Sequence, residues 1–193
     1  MTSHSGGCQC GAVRYRVDGP LNEPHLCHCR MCQKAAGNYF MPLAGAGPGD
    51  LVITRGEPAW FASSAPVRRG FCRDCGTPLF FGHVEGGYVA VTLGSLDDPA
   101  AVKPLGVYGI EARMPWIAEV CAMEGTATED DPGEGPEHLA QIRATNRQHP
   151  DRDTDRWPPE GQDAPRAPLA RGSEGRVETR GSTLQSRRDR GGT

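Results

Sequence analysis

Cysteine spacing constrains this chain more than any other feature. Seven of its eight cysteines fall into three tight groups in the first half of the sequence. The groups are Cys8-Gln9-Cys10, Cys27-His28-Cys29-Arg30-Met31-Cys32 and Cys72-Arg73-Asp74-Cys75. A structural zinc ion takes four ligands in a closed tetrahedron, whereas a catalytic zinc takes three protein ligands and keeps one position open. Seven thiolates therefore predict two zinc sites, one with four cysteines and one with three.

Disulfides in an exported domain are the alternative use of closely spaced cysteines. Residues 1–7 contain neither a basic start nor an apolar run, so we expect no secretory signal there. We also find no stretch long and apolar enough to cross a bilayer. We therefore expect a cytoplasmic protein whose thiols are reduced, and in that setting close spacing indicates metal binding or catalysis.

Composition divides the chain near Glu124. Clear apolar patterning ends there, and residues 125–193 consist mainly of Gly, Pro, Thr, Arg and acidic residues. Such a segment buries too little apolar surface to offset the entropy cost of ordering it. We predict a folded domain over residues 1–124 and a low-complexity, mostly disordered tail over residues 125–193. One weak helical possibility lies at residues 136–148.

The charge balance argues against a nucleic-acid partner. Residues 1–124 carry 10 basic and 11 acidic side chains, and the remaining residues carry 11 and 13. A nucleic-acid binder normally shows a basic stripe, because phosphate neutralisation supplies most of its affinity. We therefore expect neither a nucleic-acid nor a membrane partner, and the sequence leaves the oligomeric state open.

Short segments with alternating apolar and polar residues lie between Gly and Pro breaks, a pattern typical of half-buried strands. A helical turn is expected at residues 31–36, where Gly37 supplies the stop. The pattern predicts a mainly β fold, α+β at most, with short helical turns. The predicted strands lie at residues 13–17, 51–54, 60–62, 69–71, 78–81, 88–93, 107–110 and 117–120.

Large apolar side chains at strand spacing are assigned to the core. Cys121 lies in an apolar strand pattern, so we expect it to be buried. The aromatic residues expected in the core are Trp60, Phe61, Phe80, Phe81 and Trp116.

Glycines suggest how the cysteine groups combine. Gly11 and Gly76 each follow the second cysteine of a pair. A backbone that turns its amides toward a thiolate often needs a positive φ, which glycine adopts without steric cost. The shared pattern supports one four-cysteine site made of Cys8, Cys10, Cys72 and Cys75.

The remaining group, Cys27, Cys29 and Cys32, then forms a three-cysteine site with an open position. Either His25 or His28 could instead complete it as a fourth ligand. For His28, packing and proton transfer are further alternatives.

Three ordered motifs carry a resemblance to a known family. They are Gly7-Cys8-Gln9-Cys10-Gly11, His25-Leu26-Cys27-His28-Cys29-Arg30-Met31-Cys32 and Phe71-Cys72-Arg73-Asp74-Cys75-Gly76-Thr77. With these motifs, the chain resembles the glutathione-dependent formaldehyde-activating enzyme family, which includes centromere protein V, over about residues 6–121. The resemblance implies an Mss-four-like zinc-binding β fold.

The resemblance also implies roles for the cysteines. It implies that the four-cysteine site holds a structural zinc and that Cys27, Cys29 and Cys32 hold a catalytic zinc. The implied reaction is that of a carbon–sulfur lyase, which adds glutathione to formaldehyde to give S-hydroxymethylglutathione, or the reverse. The expected partners are then small molecules, glutathione or a similar thiol and an aldehyde.

Glutathione carries two carboxylates, so cations are expected beside the open zinc. Arg30 and Lys34 flank the three cysteines and are the predicted binding residues. The segment 38–40 is a candidate wall of the substrate cleft. Arginine side chains are solvated in most proteins. Three more of them are nevertheless candidate substrate contacts: Arg68, Arg69 and Arg73.

Two rival functions follow from the same cysteines. One is a non-catalytic, zinc-stabilised binding or scaffold module, as the centromere-protein branch suggests. The other is a redox or zinc-storage role, in which the three cysteines form a labile thiol cluster.

Overall fold

The computed structural model describes residues 2–130 and 135–158. Helices in this part are α1 (Arg30–Ala36), α2 (Ile117–Cys121) and α3 (Pro136–Thr145). The strands are β1 (Ser3–Gly7), β2 (Arg14–Asp18), β3 (Asn22–Cys27), β4 (Met41–Ala46), β5 (Leu51–Arg55), β6 (Ala59–Ala62), β7 (Val67–Phe71), β8 (Pro78–His83), β9 (Val89–Thr92) and β10 (Gly106–Tyr108).

These strands form two sheets. The smaller sheet is antiparallel with the order β1-β2-β5, and the larger has seven strands in the order β10-β3-β4-β9-β8-β7-β6. Every pair in the larger sheet is antiparallel except β10 with β3. The prediction of a mainly β fold with short helical turns is confirmed.

Two separate cores lie on opposite faces of the seven-stranded sheet. Because successive side chains of a strand point to opposite faces, neighbouring residues divide between the cores. On β4, Leu43 belongs to one core and Ala44 to the other; on β9, Ala90 and Val91 divide in the same way. The core of Ala44 includes Cys8, Cys10 and Cys72, and the core of Leu43 includes Cys32. The two cysteine groups are therefore separated by the sheet.

The predicted strand at residues 117–120 is wrong. Ile117–Cys121 is a helix, and Cys121 is exposed rather than buried. A short apolar run has too few residues to distinguish a period of two from one of 3.6. The strand predicted at residues 107–110 is confirmed for its first part, since Ile110 begins a 3-10 helix.

The predicted burial of the aromatic residues holds for Phe80 but is wrong for Trp60 and Phe61, which are 40% and 61% exposed. Both exposed residues lie on β6, the edge strand of the larger sheet. An edge strand has a neighbour on one side alone, so strand spacing does not ensure burial there. Phe81 and Trp116 are partly buried.

Three strands escaped the sequence analysis. Strand β1 has the polar sequence Ser-His-Ser-Gly-Gly, which shows no apolar alternation. Strand β3 contains Pro24, which removes a hydrogen-bond donor, and its register against β4 shifts between Asn22 and His25. Strand β4 is buried along nearly all its length, so it too lacks alternation.

Residues 2–123 and 147–158 belong to one compact unit, and residues 124–130 and 135–146 to another. In the second unit, α3 confirms the helical possibility, with Pro136 at its first position. Arg143 of α3 forms an ion pair with Glu129. The predicted disorder of residues 131–134 and 159–193 lies outside the described residues, and the domain boundary at residue 124 stays a prediction.

Candidate metal centres and the adjoining cleft

The first centre is a cluster of four sulfur atoms. Cys8 and Cys10 follow β1, and Cys72 and Cys75 lie in the turn between β7 and β8. All four Sγ atoms lie within 4.8 Å of one another, with 3.6 Å between Cys8 and Cys10. Four sulfurs that each lie 2.3 Å from a tetrahedral zinc are about 3.8 Å apart. This four-cysteine cluster therefore fits one zinc ion with a closed ligand set.

Two matching turns hold these cysteines. Gly11 and Gly76 have φ values of 79° and 78°, as predicted. The Gly11 amide donates to the Cys8 carbonyl over 3.0 Å, and the Gly76 amide donates to the Cys72 carbonyl over 2.9 Å. The first hydrogen bond links residues three apart and the second links residues four apart, and both turns present a pair of thiols to one cluster.

Proton affinities differ among the thiols of this cluster. Burial raises the pKa of Cys10 to about 12. Hydrogen bonds from the Cys72 and Cys8 thiols hold the pKa of Cys75 well below its ordinary value. A divalent cation is what allows all four sulfurs to ionise.

Residues 147–158, here called the strap, cover this cluster from outside. His149 is 3% exposed, and its amide donates to the Gln9 carbonyl over 2.7 Å. The Trp157 indole N–H donates to the Cys10 carbonyl over 2.6 Å. A Cβ atom at Gly11 would lie 2.1 Å from the His149 ring, so glycine is required for this close approach. The sequence analysis did not anticipate these contacts.

A buried ion pair ties the strap to the smaller sheet. Arg14 of β2 donates to both carboxylate oxygens of Asp97, over 2.7 and 2.6 Å. Its Nε donates to Asp153 of the strap over 3.0 Å. The Arg14 side chain is 3% exposed and that of Asp97 is 11% exposed. Arg14 therefore links β2, the loop that holds Asp97, and the strap.

The second centre contains Cys27, Cys29 and Cys32. Cys27 ends β3, Cys29 precedes α1, and Cys32 lies in the first turn of α1. Their Sγ atoms lie within 4.8 Å of one another, and the Cys29 sulfur accepts the Cys32 amide over 3.4 Å. In residues 2–130 and 135–158, no further Cys, His, Asp or Glu belongs to this three-cysteine cluster. Its donor set fits a zinc with one open position.

The two histidines proposed as a fourth ligand make other contacts. The His25 Nδ1 atom lies 2.7 Å from the Glu23 carbonyl oxygen, and its ring packs edge-on against Tyr108. His28 is buried, its amide donates to the Tyr108 carbonyl, and its ring packs against Phe40. Among described residues, the cluster is thus left open.

Proton affinities within the three-cysteine cluster are uneven. Burial raises the pKa of Cys27 to about 12. Cys29 is also desolvated, but the amide of Cys32 hydrogen-bonds to its sulfur and the pKa of Cys29 is held below its ordinary value. Burial raises the pKa of Cys32, and the Arg69 cation acts in the opposite direction.

The structure places a charged side chain, Arg69, in contact with the three-cysteine cluster. It lies on β7, is 7% exposed, and its Nη2 lies 3.4 Å from the Cys32 sulfur. Its Nε donates to the Ser63 hydroxyl over 3.0 Å, and its Nη1 lies 3.4 Å from the Met41 sulfur. Three neighbours therefore fix the guanidinium beside Cys32.

A cleft lies alongside α1. It consists of two adjoining cavities of about 370 and 280 Å³ that share Ala35, Phe61 and Arg69. Both predicted binding residues, Arg30 and Lys34, line the larger cavity together with Arg69. Three cations therefore face one cavity at the helix that carries Cys32.

The other candidates from the sequence lie elsewhere. Arg68 points to the opposite face of the sheet, and Arg73 is exposed. Tyr39 is exposed and packs edge-on against Trp116. Neither Tyr39 nor its neighbours in segment 38–40 line the two cavities of the cleft, as far as the described residues show.

Gln33 is a supporting residue that the sequence analysis missed. It is buried in α1, and its Nε2 donates to the carbonyls of His28 and Ala112, both over 2.8 Å. These bonds join the cysteine loop to residues 110–112. Gln33 lies four residues after Cys29, so helical spacing places both on one face, a signal that could have found it.

Comparison with known proteins identifies related chains. The family model described as glutathione-dependent formaldehyde-activating enzyme matches residues 3–108, a little over half of the chain. A putative glutathione-dependent formaldehyde-activating enzyme of Halomonas elongata is 31% identical over 83 residues, which cover 39% of this chain and 53% of that protein. An uncharacterized lyase of Schizosaccharomyces pombe is 31% identical over 88 residues, 45% of this chain and 62% of that protein.

The aligned segments therefore span between half and two thirds of these two relatives. Among solved structures, a Rhodobacter sphaeroides protein aligns with a TM-score of 0.43 and 22% identity, covering 53% of this chain and 98% of that one. No helix in residues 2–130 and 135–158 has both the length and the apolar character that crossing a membrane requires.

Proposed function

Because the chain belongs to the glutathione-dependent formaldehyde-activating enzyme family, we propose that it is a zinc-dependent carbon–sulfur lyase that joins glutathione to formaldehyde. The single observation that carries this proposal is the open three-cysteine cluster beside a cleft with three cations. The names of the two relatives, an activating enzyme and a lyase, support the same reaction class.

In this proposal the two clusters have different roles. The four-cysteine cluster would hold a structural zinc, and Cys27, Cys29 and Cys32 would hold a catalytic one. A zinc ion in the second cluster supplies Lewis acidity and stabilises a thiolate near neutral pH. The structural support is the ligand count, since an open ligand set is what a catalytic zinc requires.

Substrate binding is assigned to the cations of the cleft. Glutathione has two carboxylates, and Arg30 and Lys34 stand at the exposed side of the larger cavity. Phe61 and Met31 line the same cavity and provide apolar surface around the thiol. Arg69 is already engaged with Ser63 and Cys32, so its proposed role is to keep Cys32 ionised.

The reaction needs little more than positioning. In the forward direction the thiol sulfur forms a bond to the aldehyde carbon, and the thiol proton ends on the new hydroxyl oxygen. Hemithioacetals form without a catalyst, so holding the two reactants together provides most of the expected acceleration. Arg30 and Lys34 supply that orientation by anchoring the carboxylates of the tripeptide.

The test compares wild-type protein with Cys29→Ser. Exchange between formaldehyde and its glutathione adduct is followed by NMR exchange spectroscopy, and zinc is counted by elemental analysis. We expect wild-type protein to bind two zinc ions and to accelerate exchange above the spontaneous rate. Cys29→Ser should remain folded, bind one zinc and lose the acceleration.

Cys121→Ser is the matched control, because Cys121 is exposed and outside both clusters. It should behave like the wild-type protein. Full acceleration by Cys29→Ser would contradict the proposed site. A wild-type protein that binds two zinc ions but does not accelerate exchange would contradict the proposed reaction.

A further inference from the structure

A further cavity lies away from the three-cysteine cluster. It measures about 490 Å³, within the usual range of small-molecule sites. Strands β5 and β6 and the loops that follow β4 and β8 surround it. Its lining residues are Ala46, Gly47, Pro48, Gly49, Leu51, Ile53, Pro58, Trp60, Arg68, Phe80, Gly86, Gly87, Tyr88 and Val89.

Strand geometry separates the cation of this cavity from those of the proposed catalytic cleft, although Phe80 lines both spaces. Arg68 and Arg69 are neighbours on β7, so their side chains leave opposite faces of the sheet. Arg69 contacts Cys32 and lines the cleft, whereas Arg68 lines the cavity. The same alternation sends Trp60 to the cavity and Phe61 to the cleft.

Arg68 places a cation with unused hydrogen-bonding capacity in this cavity. Its guanidinium carbon lies 4.4 Å from the centroid of the Trp60 ring, close enough for a cation–π contact. Its Nε atom is buried and has no hydrogen-bond partner. Within residues 2–130 and 135–158, no carboxylate forms an ion pair with Arg68.

A cation at the wall of a cavity that has no carboxylate partner favours an anionic ligand there. The planar guanidinium matches a carboxylate, which it can bind through two parallel hydrogen bonds. None of the described lining residues is an Asp or Glu that could fill this role.

The rest of the wall is apolar and partly aromatic. Trp60 and Phe80 stack with their ring centroids 6.0 Å apart, and Leu51, Ile53 and Val89 add aliphatic surface. Such a wall favours a flat apolar body attached to the anionic group.

We propose that this cavity is a second binding site that takes a small organic carboxylate with an aromatic body. Arg68 binds the carboxylate, and Trp60 and Phe80 contact the ring. Arg68 leaves the other face of the sheet from Arg69, so carboxylate binding here uses none of the cations assigned to the reaction proposed above.

The test titrates full-length, zinc-loaded protein with 2-naphthoate, using the amide NMR signals of Gly86 and Gly87 and the indole signal of Trp60. We expect these signals to shift with a Kd of about 1 mM or tighter. 2-Naphthamide, a neutral molecule of the same shape, should bind at least about tenfold more weakly because it cannot form the charged pair. Equal binding of acid and amide would overturn the proposal.

Glutathione is titrated separately, because it also carries carboxylates. It lacks an aromatic body, so these three signals should stay in place at the naphthoate concentration that saturates them. If glutathione shifts them at a lower concentration than 2-naphthoate, the assigned ligand class is wrong. The absence of any 2-naphthoate binding would also overturn the proposal.

Arg68→Gln tests the cation directly. It should weaken 2-naphthoate binding at least about tenfold while leaving 2-naphthamide binding unchanged. Arg73→Gln is the matched control, since Arg73 is an exposed arginine outside the cavity, and it should bind like the wild-type protein. Unchanged naphthoate binding by Arg68→Gln would contradict the proposal. If that variant does not fold, the comparison of acid with amide on wild-type protein still decides the question.

Discussion

The two cysteine clusters use the same ligand atom in opposite surroundings. The four-cysteine cluster draws its ligands from two distant parts of the sequence, sits in the larger core and is covered by the strap. The three-cysteine cluster draws its ligands from residues 27–32 alone and lies beside a solvent-facing cleft. One cluster therefore joins separate elements, and the other depends on a single loop and helix.

This difference leads us to expect that the four-cysteine cluster matters more for stability and the three-cysteine cluster more for chemistry. Loss of a metal from a site that closes a long loop removes a constraint on the whole fold. Loss of a metal from a local site changes little beyond its own loop. The predictions below are arranged from the largest expected effect to the smallest.

Removing one ligand from the four-cysteine cluster should have the largest effect. In Cys72→Ser, the cluster loses a buried sulfur that belongs to the larger core. Structural zinc in small domains contributes about 10 to 16 kcal/mol of apparent free energy, so we expect the variant to lose cooperative folding. Circular dichroism and thermal unfolding measure this loss.

Cys29→Ser provides the contrast for Cys72→Ser, since it removes one ligand from the other cluster. It should unfold within a few degrees of the wild-type protein. Comparable unfolding temperatures for the two variants would break the proposed division between the clusters.

Breaking the buried ion pair should have the next largest effect. Asp97→Asn leaves Arg14 buried with one of its two carboxylate partners removed. Breaking one partner of such a pair costs about 3 kcal/mol, and we expect that loss in the free energy of unfolding measured with urea. Asp153→Asn removes the more exposed partner and should cost much less. Equal losses would show that burial does not set the strength of these contacts.

Arg69→Gln should affect activity more than stability. It removes the cation that opposes the rise of the Cys32 pKa, so thiolate formation and metal affinity should decrease. Substituting a residue that supports a metal ligand typically costs about 10 to 100-fold in affinity or activity. Zinc titration with a competing chelator measures the change, and Arg16→Gln is the exposed control outside both clusters. Unchanged zinc affinity in the second site would contradict the role given to Arg69.

The smallest expected effect is the detachment of the strap when the pH is lowered. Burial, together with the Arg14 and Arg55 cations, holds the pKa of His149 below its ordinary value. The bound strap therefore prefers neutral His149, so its attachment is complete above about pH 6.5 and weakens as the pH falls. The indole N–H signal of Trp157 should move toward its detached position as the pH falls below about 6.5.

His149→Gln is the control for this titration, because glutamine has hydrogen-bonding groups but no charge change in this range. Its Trp157 signal should keep a constant position over the same interval. A pH dependence identical to that of the wild-type protein would show that another group releases the strap.

Much of the cysteine chemistry could be predicted because it depends on local spacing. The glycine that follows each cysteine pair, the short helix ended by Gly37 and the ligand count of both clusters are all local features. The position of Arg30 and Lys34 at the cleft follows from their helix, which also carries Cys32.

Contacts between distant residues could not be predicted. Arg69 of β7 contacts Cys32 of α1, although 37 residues separate them in the sequence. No sequence feature singled out Arg69 from the other two candidates, Arg68 and Arg73. Helix α2 was predicted as a strand because a run of five residues is too short to distinguish the helical period of 3.6 residues from the strand period of two.

The sequence by itself determined which cysteines could serve as metal ligands, since thiol number and spacing are properties of the covalent chain. The tertiary structure decided where those atoms lie: on opposite faces of one sheet, with the strap over one cluster and a cationic cleft beside the other. The physical reason is that burial, charge pairing and open space depend on which distant segments pack together, and short-range patterns do not encode that packing.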